Sequence, residues 1–169
     1  MANAIFDIAR KKFAKGEIKW NDVPIVGAGS SGIRALLFDT SPADGQGNAI
    51  NMTALLASAT SMTGFGLTDG MAPNGGGMGN CRSIITVTGL TVEDNGACNA
   101  PQITFPSVPS SPGNSSTGIL IVATSSGDNI LASSFPLVWI DSATGLPITP
   151  NGGNIIVTWD TGVNKIFRL

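Results

Sequence analysis

The sequence contains no histidine and no tyrosine. Histidine is the commonest general acid–base and the commonest metal ligand in proteins. Its absence excludes a Ser-His-Asp triad, a Cys-His pair and any histidine-containing zinc site within this chain. Charged residues are also scarce, at 12% of the 169 residues, which is about half of the usual share. We therefore expect a protein that is not an enzyme, needs no cofactor and acts through its surfaces.

Cysteines and long apolar runs are sparse too. Cys81 and Cys98 are the two cysteines, and they could form one disulfide or serve as two small hydrophobic residues. No apolar run reaches membrane-spanning length. Charged residues occupy the N-terminal stretch in which a secretion signal needs its apolar core. We expect a protein that is made and assembled in a cytoplasm and has no membrane partner.

The apolar residues, 42% of the chain, fall into short segments separated by turns rich in glycine, proline and asparagine. These segments predict strands over residues 33–38, 83–88, 103–105, 119–123, 137–140, 155–159 and 165–169. Short strands at this spacing indicate a mainly β fold, an antiparallel β-sandwich or barrel-like domain over 33–169. Asn48 or Asn51 could begin one further short helix that ends near residue 59.

Residues 60–80 are rich in glycine and methionine. Glycine is costly to hold in regular structure, so this segment is interpreted as a long excursion from the β-domain. Long loops in compact domains are usually either functional or disordered. In an assembly protein such a loop is where partners touch, which makes Met71 and Met78 candidate contacts.

The N-terminal segment is basic. Five of the nine basic residues lie in the first twenty positions, against two of the eleven acidic residues. Apolar residues at helical spacing predict an amphipathic helix over about 2–15, within an N-terminal arm over 1–20, and Gly16 ends it. The helix could pack on its own domain or dock onto a neighbouring subunit with an acidic surface. Nucleic-acid and membrane binding are not expected, because these charges form no recognised motif. The candidate subunit-interface residues are Ile5, Phe6, Ile8, Arg10, Lys11, Lys12, Phe13, Lys15, Met71 and Met78.

Two segments resemble ligand-binding motifs in part. Gly27 to Gly32 spell G-x-G-x-x-G after an apolar stretch, as in dinucleotide-binding proteins. That chemistry needs a helix whose N-terminus faces the phosphates, but residues 33–38 predict a strand, so we interpret the glycines as a connection. Residues 39–48 offer oxygen ligands without the spacing of an EF-hand loop. We interpret them as a turn and expect no metal site.

Tryptophan is the residue on which a sugar-binding alternative depends. A β-rich, polar chain is compatible with a carbohydrate-binding module, and Trp20, Trp139 and Trp159 are the side chains available to stack on sugars. Trp139 and Trp159 lie within apolar strands. We interpret both as core residues.

The two ends of the chain carry the most distinctive patterns. It opens with ANAIFDIARKKFAKGEIKW over 2–20, followed by IRALLFD over 33–39. It closes with LVWIDSATGLPITPNGGNIIVTWD over 137–160 and GVNKIFRL over 162–169. These patterns resemble those of a family of small structural proteins of tailed-bacteriophage virions.

The resemblance implies a virion protein without enzymatic activity. It points to a capsid decoration (cement) subunit that is oligomeric on the particle. Its partners would be copies of itself and the major capsid protein or other virion subunits. The alternative is a structural or carbohydrate-binding module associated with the neck, tail or a fibre.

Overall fold

The computed structural model describes residues 3–21, 32–40, 51–62, 81–110, 115–124, 134–163 and 165–169. Its elements in chain order are β1 (Ala4–Ile5), α1 (Asp7–Ala14), β2 (Gly32–Phe38), α2 (Met52–Ser58), β3 (Cys81–Thr86), β4 (Thr91–Val92), β5 (Ala97–Asn99), β6 (Ile103–Phe105), β7 (Gly118–Thr124), β8 (Phe135–Ile140), β9 (Ile155–Val157) and β10 (Phe167–Arg168). The mainly β, antiparallel fold predicted from the sequence is confirmed. The candidate contacts Met71 and Met78 lie outside the described residues.

The main sheet has five strands in the order β1-β8-β7-β2-β3, and every pairing is antiparallel. All residues of β2, β7 and β8 are buried. A strand that is covered on both faces needs apolar residues at successive positions, not at alternate ones. The largely apolar sequences of these three strands, in which Arg34 of β2 is the charged exception, therefore suit their place in the interior.

A second layer consists of two small sheets, β10-β5-β4 and β6-β9. Ile119 of β7 and Ile140 of β8 are paired across the main sheet, so their side chains lie on the same face. Both side chains line the same cleft as Val157 of β9. The small sheets therefore cover this face of the main sheet, which gives a sandwich-like domain.

The N-terminal segment is built into this domain. Ala4 pairs with Trp139 and Ile5 with Val138, so β1 forms an edge of the main sheet. Phe6 is fully buried, and its N–H donates to the Leu137 carbonyl over 3.0 Å. The helix is consequently shorter than predicted, because residues 4–5 pair with β8 as a strand. Contacts with β8 thus join the predicted arm over 1–20 to the β-domain.

The residues that end α1 and begin α2 are of the types expected at helix termini. Gly16, with φ +68°, follows α1 at the position where a left-handed residue ends a helix. Asn51 precedes α2, and its Oδ1 accepts a hydrogen bond from the Ala54 N–H over 3.1 Å. Asn51 is therefore the N-cap of the second helix.

Cys98 is a free and fully buried thiol in the centre of the small sheet β10-β5-β4. It pairs with Val92 on one side and Phe167 on the other. Burial disfavours the thiolate and raises the pKa of Cys98 from 9.0 to about 12. Of the two alternatives left open by the sequence, Cys98 takes the role of a small hydrophobic residue.

This pKa predicts that the free energy of unfolding falls with pH above about 9. There the unfolded thiol loses its proton while the folded thiol keeps it, so the folded state binds more protons. Equilibrium unfolding between pH 8 and 11 should show a steeper decline in the free energy of unfolding for the wild type than for Cys98→Ala. Parallel profiles for the two proteins would contradict the prediction.

Candidate interaction surface

Helix α1 divides into a buried face and an exposed face. Ala9 is fully buried, and Ile8 packs against the core. The Phe13 ring lies 5.8 Å from that of Phe167 in β10. Most apolar side chains of the helix thus pack inside the domain. The other side chains of the helix are the ones that a partner could contact.

Two of the lysines of this segment are held by intramolecular contacts. The Lys12 ammonium lies 2.8 Å from the Glu17 carboxylate and 4.7 Å from the centroid of the Phe135 ring. Lys15 lies 3.6 Å from the same carboxylate. The hydrogen bond from Lys12, with the two nearby positive charges, lowers the pKa of Glu17. The positive charge of Lys12 is therefore partly compensated by contacts within the domain.

Two arginines from opposite ends of the sequence line the same surface groove. Arg10 on α1 forms a 2.8 Å ion pair with Asp7, whose side chain is 60% exposed. Arg168 on β10 donates from Nε to the Asn95 carbonyl over 2.8 Å. These contacts orient both side chains, and each guanidinium has further N–H donors for a partner.

An apolar groove of about 400 Å³ has both arginines among its lining residues. It is called the arginine groove here, and its lining residues are Ile5, Arg10, Phe13, Ala14, Arg168 and Leu169. Leu169 is 55% exposed. The groove thus combines apolar side chains, called its floor, with two positively charged ones, called its rim. Most of its lining residues belong to α1 and β10.

A second cavity of about 450 Å³, the tryptophan cleft, lies beside the end of β9. Its apolar lining residues, called its floor, include Ile119, Ile140, Trp159 and Ile166. Its polar lining residues, called its rim, are Asn3, Ser142, Thr144, Thr158, Asp160 and Lys165. A third depression, of about 500 Å³, shares Asn3, Asp160 and Lys165 with the cleft and Ile5, Arg10 and Arg168 with the groove. The groove and the cleft are therefore connected along one side of the domain.

The structure sorts the predicted interface residues into three sets. Ile5, Arg10 and Phe13 line the arginine groove, and Lys11 and Lys15 are exposed on the helix. Phe6 is fully buried, so it contributes to the core and is not accessible to a partner. The residues Ile8 and Lys12 are partly buried against the domain itself.

Sequence reasoning missed the C-terminal half of this surface. Arg168 follows the buried Phe167 in a strand, and the alternation of side chains across a strand was the signal for its exposure. Trp159 was assigned to the core together with Trp139. Trp139 is buried, whereas Trp159 is half-buried and lines the tryptophan cleft.

Among the residues that the structure describes, no group of three or more cysteine, aspartate or glutamate residues is placed to hold a metal ion. Neither helix in the described ranges has the combined length and apolar character needed to cross a membrane. Comparison of the chain with protein-family models, with curated proteins and with solved structures finds no match.

Proposed function

We propose that this chain is a structural subunit of a tailed-phage virion, a capsid decoration or cement protein that acts through protein–protein contacts. The arginine groove is the observation that carries the proposal. A groove with an apolar floor and a charged rim provides both burial and orientation, which are the two components of a specific protein interface. The resemblance of both chain ends to small virion proteins supports the same class.

The charges of the groove indicate the chemistry of the partner. Arg10 and Arg168 stand at its rim, and a guanidinium binds a carboxylate through paired N–H donors. The apolar floor suits one or two aliphatic or aromatic side chains. We therefore infer that the groove receives a segment of the major capsid protein, or of another virion subunit, in which carboxylates flank an apolar residue.

The location of the subunit can be tested on the phage that encodes it. We expect purified particles to contain the chain, and cryo-electron microscopy to place its five-stranded sheet on the outside of the capsid lattice with α1 facing the shell. Density at the neck, tail or a fibre would assign the alternative virion position. Absence of the chain from purified, infectious particles would contradict the proposal.

A further inference from the structure

The tryptophan cleft contains the components of a site for a polyhydroxylated ligand. Its floor presents aliphatic side chains and part of an indole ring, while its rim presents hydroxyl, amide, carboxylate and ammonium groups. A pyranose has the matching properties, because it exposes C–H groups on a face and hydroxyls around its edge. The cleft, at about 450 Å³, lies within the range of pockets that hold small ligands.

The position of Trp159 is set by the protein. Its Nε1 donates to the Pro101 carbonyl over 2.9 Å, and part of its ring packs against the core. This hydrogen bond helps to fix the orientation of the indole, and Trp159 is one of the residues that line the cleft. The ring thus provides a rigid apolar surface, which a ligand can cover at a small entropic cost.

Several polar groups of the rim have hydrogen-bond donors or acceptors that a ligand could use. Asp160 Oδ1 accepts from the Gly162 N–H over 3.0 Å, and no bond to Oδ2 is formed within the described ranges. Asn3 Oδ1 accepts from Ser142 Oγ over 3.2 Å, so the amide still has two N–H donors. The Lys165 ammonium contacts the Thr161 carbonyl and Glu93, which uses two of its three N–H groups. Acceptors and donors are therefore both available, as vicinal hydroxyls require.

We propose that the tryptophan cleft binds a pyranose unit of a carbohydrate. Trp159 covers an apolar face of the sugar ring, Asp160 accepts from its hydroxyls, and Asn3 and Lys165 donate to them. This site lies outside the arginine groove and uses none of its lining residues. The carbohydrate site and the virion docking site can therefore be tested separately.

Tryptophan fluorescence offers a direct readout of this site. Trp20 and Trp139 are 1% and 2% exposed, so quenching by acrylamide reports mainly on Trp159. The intact protein should first be applied to an array of bacterial and host oligosaccharides, and the bound sugars titrated while quenching is recorded. We expect binding of at least one pyranose-containing glycan and protection of the fluorescence from acrylamide.

Two variants test the assigned roles. Asp160→Asn keeps the Oδ1 acceptor for Gly162 but removes the charge, and we expect it to weaken saccharide binding about tenfold. Trp159→Leu should abolish the binding. Asp94→Asn, an exposed carboxylate outside the cleft, is the matched control and should leave binding unchanged. Failure of every arrayed glycan to bind, or equal affinities for wild type and Asp160→Asn, would overturn the proposal.

Discussion

Replacing Arg10 and Arg168 together by glutamate is expected to lower the affinity of the subunit for particles that lack it at least about a hundredfold. The two substitutions turn a positively charged rim into a negative one around an unchanged apolar floor. A carboxylate of the partner would then face like charges in a partly desolvated groove, where repulsion costs several kcal/mol. Quantitative co-sedimentation with particles from a deletion phage measures the effect.

The same double variant should retain its fold. The Arg10–Asp7 ion pair lies at the surface, with side-chain exposures of 59% and 60%, and such pairs contribute about 0–1 kcal/mol to stability. Arg168 loses one exposed hydrogen bond to Asn95. Thermal unfolding should therefore remain cooperative and close to that of the wild type.

Lys11→Glu combined with Lys19→Glu is the matched control for charge. It changes the net charge by the same amount, and both lysines are exposed and outside the arginine groove. We expect this control to retain most of its affinity. An equal loss in the two double variants would show that general positive charge drives binding, and the specific role of the groove would be refuted.

Substitutions are the right test because the N-terminal segment is part of the domain. Removing residues 1–15 would take away Phe6 and Ala9, which are fully buried, and the strand that borders β8. Deleting large core side chains destabilises a protein by about 3–5 kcal/mol for a phenylalanine. A truncated chain could lose particle binding simply because it unfolds, so its result would not identify the docking surface.

The central strands could be predicted from the sequence because their segments are almost entirely apolar and are bounded by turn residues. Residues 33–38, 119–123 and 137–140 fall inside β2, β7 and β8. The strand β1 could not be predicted, since two residues carry no periodic pattern and its pairing depends on Val138 and Trp139 far along the chain. The order β1-β8-β7-β2-β3 likewise follows from long-range packing, which local propensity does not contain.

The candidate surface was predictable only on its helical side. Charge and helical spacing identified Arg10 and Phe13, which line the arginine groove. Arg168 and Leu169 join them because β10 pairs with β5 and its Phe167 meets Phe13. Trp159 was misassigned because the apolar pattern of a strand indicates only which of its side chains face the core. How much of such a side chain stays exposed depends on how far the second layer extends over the sheet, and the local sequence does not show this.

Gly118→Ala is expected to destabilise the folded protein by about 3 kcal/mol, the upper end of typical overpacking costs. A Cβ atom at this position would lie 2.3 Å from Cη2 and 2.5 Å from Cζ2 of Trp139, and 2.6 Å from the Ile140 carbonyl oxygen. Trp139 cannot move aside easily, since its ring packs edge to face on Phe38 at 6.1 Å and its Nε1 donates to Asp141 over 3.1 Å. Glycine is therefore required at the start of β7 by the indole that crosses it.

Thermal unfolding measures this cost directly. For a chain of this size, the expected destabilisation corresponds to a lowering of Tm by roughly 10 °C. Gly153→Ala is the matched control, because the added methyl would meet only the exposed Asn151 side chain, at 3.1 Å. Its free energy of unfolding should change by less than about 0.5 kcal/mol.

A double variant separates the clash with the indole from a general intolerance of alanine in the strand. Trp139→Phe removes the distal indole atoms with which the alanine methyl would clash. The methyl can then fill part of the cavity that the smaller phenylalanine ring leaves. We expect Gly118→Ala combined with Trp139→Phe to be less destabilised than the sum of the two single variants, by about 1 kcal/mol or more. Rescue should be incomplete, because the Ile140 carbonyl still crowds the new Cβ. Strict additivity would mean that the indole does not impose the glycine, and the packing of Trp139 across β7 would then need another explanation.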